Sequence, residues 1–170
     1  DAALLVAQNP GSSYNPLYIY GGAGLGKTHL LHAIGHVAEA RDLRVLYASA
    51  ERFTNEFVHA LHQGTIQEFH RKYRTVDILL MDDIQFIGGK EQTEETFFHT
   101  FNDLHNANHQ MVITSDCSPK LTPKLQNRLR SRLEWGLTVD IQSPGWETRL
   151  AILQAKAARL KIDIAPAVFQ

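Results

Sequence analysis

Little in this chain of 170 residues points to a membrane, a disulfide framework or a strong polyanion-binding field. Its single cysteine, Cys117, cannot close an internal disulfide, which fits a reducing cytoplasm. Cys117 stands in a polar Ser-Asp-Cys-Ser-Pro turn without an obvious base beside it and reads as a passive thiol. No apolar run approaches the roughly 18 to 20 residues that cross a bilayer, so neither a membrane span nor a secretory leader is expected. The formal net charge of −1 gives no overall positive field. Any contact with nucleic acid must therefore come from a local patch or from segments outside this chain. There is no internal repeat and no low-complexity tract. His29, His32 and His36 share one helical stretch, but without a cysteine partner they do not read as a structural metal site. What remains is ordinary: 44% hydrophobic and 21% charged, enough for one domain with a real core, or one domain and part of another.

The most informative stretch is Gly21-Gly22-Ala23-Gly24-Leu25-Gly26-Lys27-Thr28, which fits G-x-x-x-x-G-K-[ST], the phosphate-cradling Walker A loop. Glycines allow a tight turn whose successive N–H groups face phosphate oxygens. Lys27 is placed to reach the β- and γ-phosphates, and the Thr28 hydroxyl to hold Mg²⁺. A strand over 16–20 precedes the loop. A helix over 28–40 follows it, with Leu30, Leu31, Ile34 and Val37 at helical spacing. That is the context in which a helix N-terminus binds an anion.

A second nucleotide motif follows. The apolar run 76–81 reads as a buried central strand and ends in Asp82-Asp83, the Walker B pattern. Asp82 is expected to hold Mg²⁺ and Asp83 to orient or deprotonate the attacking water. Alone, paired acids after a strand are often a solvated turn; together with Walker A they point to nucleotide chemistry. The next strand, over 110–114, ends in Thr114-Ser115-Asp116, which reads equally as a γ-phosphate sensor or as an Asx-type turn before Pro119. Arg128 and Arg132, four apart, share a helical face, while Arg130 points nearly opposite. They are either solvated surface arginines or a fork offered to a neighbouring subunit's γ-phosphate.

Helical and strand patterns alternate along the chain, which predicts an α/β fold with a parallel sheet. Further strands are expected at 44–48 and 137–141. Phe53, Phe57, Val58 and Leu61 recur at helical spacing, and Phe69 and Tyr73 continue a helical stretch past Gly64. Another helix is expected over 92–105. A helix with Thr122 as N-cap and Pro123 at its first position should carry Leu121, Leu125, Leu129 and Leu133 as its stripe. A last helix over 147–160 should carry Leu150, Leu153, Ala157 and Leu160. Ala165-Pro166 reads as a fresh helix start, and both ends look cut, as in an excised domain.

With these residues in place, the chain resembles the ATPase domain of the DnaA family of bacterial replication initiators, of the AAA+ class. The resemblance runs nearly end to end. Its most specific stretches are Tyr14-Asn15-Pro16-Leu17 through Leu30, Glu51-Arg52-Phe53-Thr54-Asn55-Glu56-Phe57, Met81-Asp82-Asp83-Ile84-Gln85-Phe86, Phe97-Phe98-His99-Thr100-Phe101-Asn102, and Arg128 through Leu137. It implies an AAA+ P-loop fold: a five-stranded parallel sheet between helices, the Walker A strand flanked by the sensor 1 strand and the fifth strand. It also implies an AAA+ core over 1–160 and the start of a helical lid over 161–170. The nucleotide site comprises Gly21, Gly22, Ala23, Gly24, Leu25, Gly26, Lys27, Thr28 and His29, with ATP or ADP and Mg²⁺ as cofactors.

The same resemblance gives Asp116 the sensor 1 role, Arg132 the arginine-finger role and Arg128 a role in assembly. It implies single-stranded DNA contact near Val58, Lys90 and Gln92, although a basic residue is frequent in the family where Gln92 stands. Family members use ATP as a switch: the ATP form assembles head-to-tail on origin DNA and opens the duplex. Slow, regulated hydrolysis resets it. The replicative helicase and regulatory proteins are implied partners, in a cytoplasmic, nucleoid-associated setting. The segment that touches the adenine, most of the lid and a C-terminal helix-turn-helix for duplex DNA are expected to lie outside this chain, so weak nucleotide binding and poor hydrolysis are expected of it alone. A DnaA-related adaptor or helicase-loader ATPase acting on a protein is the alternative. A P-loop metabolic kinase fits Asp82-Asp83 and the late arginines less well.

Overall fold

In a computed structural model that describes residues 1–162, the chain opens with helix α1 (Ala2–Gln8) and then alternates strands and helices. The strands are β1 (Leu17–Tyr20), β2 (Val45–Ser49), β3 (Ile78–Asp82), β4 (Gln110–Ser115) and β5 (Leu137–Asp140). They form one sheet in the order β2-β3-β4-β1-β5, every pair parallel. The order matches the expected flanking of β1 by the strands carrying Asp116 and the fifth strand. All residues of β3 and β4 are buried, whereas β5 alternates between half-buried and exposed, as an edge strand should.

Side chains alternate across a strand, so the apolar run of β3 supplies two cores at once. Leu79 and Met81 face one side, among Phe53, Phe97, Phe101 and Leu129. Ile78 and Leu80 face the other, among Val6, Leu31 and Ile34. The first side is covered by α3 (Ala50–Gln63), α4 (Ile66–Arg74), α5 (Glu91–Asn106) and α6 (Asn127–Leu133). The second side is covered by α1 and α2 (Lys27–Glu39). Phe53 joins three of these helices through edge-on contacts with Phe69, Tyr73 and Phe97 at centroid distances of 5.1, 4.8 and 5.5 Å. Such pairs contribute about 0.5–1.5 kcal/mol each beyond their buried area. Asn15 ties β1 to β4 from just outside the ladder: its Nδ2 donates to the His109 carbonyl and its Oδ1 accepts from the Met111 N–H.

Two helical expectations need correction. The stretch running past Gly64 is two helices, because Gly64 adopts the left-handed conformation (φ 69°) that closes α3. Thr122-Pro123 does not start a helix. A short 3₁₀ turn spans Pro119–Leu121, Lys124 is left-handed, and α6 begins only at Asn127. The missing local cap is supplied from far away: buried Glu94 on α5 accepts the Gln126 N–H (2.8 Å) and the Gly89 N–H (2.9 Å). Leu125, Leu129 and Leu133 are buried accordingly, while Leu121 is 73% exposed and outside the stripe. The last helix, α7 (Trp146–Leu160), buries none of its residues, and Leu153 and Leu160 are exposed. The helix start at Ala165-Pro166 lies outside the described residues, as does all but Lys161 and Ile162 of the segment expected to open a lid. Among the described residues no helix is long and apolar enough to cross a membrane.

Candidate nucleotide-binding site

The carboxyl ends of β1, β3 and β4 meet at one edge of the sheet, where parallel α/β folds bind ligands. The loop after β1 holds Gly24 at φ 76° and Gly26 at φ 93°, left-handed conformations that disfavour any residue with a side chain. Gly21 is glycine for another reason: a Cβ there would lie 2.6 Å from the Ile141 carbonyl oxygen. α2 starts directly at Lys27, so its free N–H groups face the loop. A cavity of about 420 Å³ opens here, lined by Ala23, Gly24, Gly26, Lys27, Thr28, Asp83, Phe86 and Asp116. A second cavity of about 550 Å³ shares Gly24 and Gly26 with it and continues past Leu25, His29 and Ile141 to Ile152 and Lys156 of α7.

The polar side chains are tied to one another. Lys27 Nζ donates to the carbonyls of Gly21 (2.7 Å) and Gly22 (3.1 Å) and to Asp116 Oδ1 (2.9 Å). Asp82, at 4% exposure, accepts from three hydroxyls: Thr28 (2.7 Å) and Tyr47 (3.0 Å) on Oδ2, and Thr114 on Oδ1. Thr114 in turn accepts the Asp83 N–H at 2.9 Å. Burial, then the Asp82 charge, push the Asp83 carboxyl above the ordinary carboxylate range. Burial and the bond to Asp82 push the Tyr47 phenol up to about 12.

Every Walker A and Walker B residue named from sequence thus comes to one edge, as does Asp116. The sequence motifs do not mark Tyr47 and Gln85, which the fold brings to the same edge. Tyr47 lies on β2 with no local motif, and Gln85 lies in the stretch after the acid pair, where the resemblance gives it no role of its own. Arg128 and Arg132 are not in the phosphate cavity lining. The Arg132 guanidinium lies 3.8 Å from the Trp135 ring centroid and 5.5 Å from that of Phe98, and its Nε donates to Asn102 (2.9 Å). The Arg128 guanidinium lies 5.1 Å from the same Phe98 ring centroid. Arg130 instead donates to the carbonyls of Thr122 and Leu125, opposite in role as its helical phase implied. Val58, Lys90 and Gln92 share a third cavity of about 300 Å³ with Phe57 and Thr93.

Residues 1–140 match the family described as the bacterial DnaA ATPase domain. The chain belongs to that family. Domain III of the Thermotoga maritima DnaA replication initiation protein is 45% identical with a TM-score of 0.94, over 99% of this chain and 71% of that one. A DnaA replication initiator bound to AMPPCP and single-stranded DNA is 41% identical with a TM-score of 0.92, over 98% of this chain and 52% of that one. The chain therefore spans about half the length of that DnaA. The DnaC helicase loader, at 18% identity and a TM-score of 0.72, shares the fold alone. The DnaA match over these stretches favours the initiator family over the loaders.

Proposed function

We propose that this chain is the ATP-binding and hydrolysing core of a bacterial replication initiator, and that the nucleotide acts as a switch for assembly on origin DNA. One observation carries the nucleotide reading: Thr28 of the glycine loop and Asp82 of β3, remote in sequence, meet at 2.7 Å beside Lys27. That pairing suits a Mg²⁺–triphosphate. A hydroxyl and a carboxylate offer hard oxygen ligands, and the glycine loop and α2 N-terminus offer N–H groups to phosphate oxygens. Mg²⁺, when bound, supplies charge neutralisation on the β- and γ-oxygens. Lys27 then exchanges its carbonyl and Asp116 partners for phosphate, and the base side extends into the cavity toward Ile152. Asp83 orients the attacking water, and Asp116 senses the γ-phosphate.

Arg132, supported by Arg128, serves a neighbouring copy's nucleotide in a head-to-tail oligomer, with its guanidinium resting over the Trp135 ring. Single-stranded DNA runs past Val58, Lys90 and Gln92; the DnaA structure with AMPPCP and single-stranded DNA supports this reading. Duplex recognition, the lid that 161–170 would open, and contacts with the helicase and regulators belong to the intact protein. Its setting is the cytoplasm, at the nucleoid. The test is Lys27→Ala in the intact protein. ATP and ADP affinity should fall at least a hundredfold by equilibrium binding, and retained affinity would remove the phosphate-cradle assignment.

A further inference from the structure

Gln85 is assigned no role by the two nucleotide motifs, yet its side chain sits between the Walker B acid Asp83 and Asp116 at the end of β4. Its Nε2 donates to Asp83 Oδ1 at 3.3 Å and to Asp116 Oδ2 at 3.0 Å. We propose that Gln85 is a positioning residue for hydrolysis, tying the γ-phosphate-sensing carboxylate of Asp116 to the water-orienting carboxylate of Asp83. The inference rests on the roles given to those two acids above.

Three features of the chain argue for it. First, the backbone is shaped to deliver the amide. Asp83 is left-handed (φ 55°, ψ 53°), which folds the chain off the end of β3 into the 3₁₀ turn Ile84–Ile87 and brings Gln85 back across the strand ends to β4. An aspartate tolerates this conformation, so the sharp exit from β3 is built into the chain just where the acid pair stands.

Second, the chemistry is selective. Two carboxylates facing one another need a donor between them, and the NH₂ of a carboxamide carries one hydrogen for each. A carboxamide adds no charge, so it leaves the positive charge beside the phosphates to Lys27 and Mg²⁺. Gln85 Oε1 is buried and meets no donor among the described residues, so the amide's orientation is set wholly by its NH₂ side.

Third, Asp116 is shared. Lys27 holds Oδ1 and Gln85 holds Oδ2. Once Lys27 turns to a phosphate, Gln85 keeps its hold on Asp116. A shift of Asp116 toward the γ-phosphate is then passed to Asp83 through one side chain, without backbone movement.

The test compares the intact protein with Gln85→Met, Gln85→Ala, Asp116→Ala, Asp83→Asn and the Gln85→Met/Asp116→Ala double variant. Gln85→Met keeps length and apolar bulk while removing the donor, so it guards against loss of folding. Single-turnover conversion of bound ATP to ADP is followed together with ADP affinity. The proposal expects Gln85→Met to slow conversion at least tenfold with ADP affinity within twofold of native. It also expects the double variant to be no more than twofold slower than Asp116→Ala, since groups acting through one another are not additive. Native-rate conversion by Gln85→Met, or multiplied losses in the double variant, would overturn it while leaving the acid roles intact. Native rates in both Asp116→Ala and Asp83→Asn would overturn the acid assignments and the inference with them.

Discussion

Asp77 stands just before β3, at the opposite end of that strand from Asp82, and its chemistry is local. Arg44 grips it twice through the guanidinium (2.8 and 3.1 Å) and once through the backbone N–H (2.8 Å). Those bonds hold its carboxyl down at about 2, below the ordinary 3.8. A lowered native value means stability that is present above about pH 4 and lost as pH falls toward 2. Both side chains meet solvent, which screens the pair, so its contribution is modest. Chemical denaturation should therefore show native protein modestly more stable than Asp77→Asn at pH 6, with the difference shrinking below about pH 4 and vanishing only below about pH 2. A constant difference across that range would place the effect elsewhere. The same residue-scale logic made the glycine loop, Lys27, Thr28 and the acid pair readable before any fold was known, because each residue type has one job on a phosphate. Gln85 and Tyr47 lacked that advantage: their meaning lies in partners 31 and 35 positions away.

The strands and most helices were readable because hydrophobic period reports directly on which faces are buried. The start of α6 was not. Thr122-Pro123 has the local form of a helix start, but the Thr122 hydroxyl turns to the Ser118 carbonyl, and Glu94 caps Gln126 from another helix. Local preference lost to a tertiary contact that no window of sequence contains. Gly136, just before β5, shows a similar non-local demand. A Cβ there would lie 1.8 Å from the Pro16 carbonyl oxygen, the same oxygen that accepts the Leu137 N–H at 3.0 Å to begin the β1–β5 pairing. Gly136→Ala must push the two strands apart at their first bond. It should cost about 2 kcal/mol or more. At roughly 2–4 °C per kcal/mol for a domain of this size, thermal unfolding should drop by at least about 4 °C. An unchanged midpoint would mean the strand start accommodates a methyl group.

At the scale of the whole molecule, the two cationic regions stand apart. Lys27 faces its own loop, whereas Arg128 and Arg132 are arrayed on α6 over Phe98 and Trp135, away from the phosphate cavity. Arg132→Ala should leave nucleotide affinity of the monomer within about twofold while abolishing ATP-dependent assembly of the intact protein, as read by light scattering after size exclusion. Normal oligomers would end the case for an arginine acting between copies. The all-parallel strand order has a consequence for how the domain comes into being. Each strand pairing joins segments separated by a crossover, so no strand pair is local and chain closure must come before reward. The phosphate site spans β1, β3 and β4, so it exists only once those crossovers are complete. A ligand that binds this edge binds only the finished domain, so it stabilises that domain over every partly folded form and would report on the completion of folding.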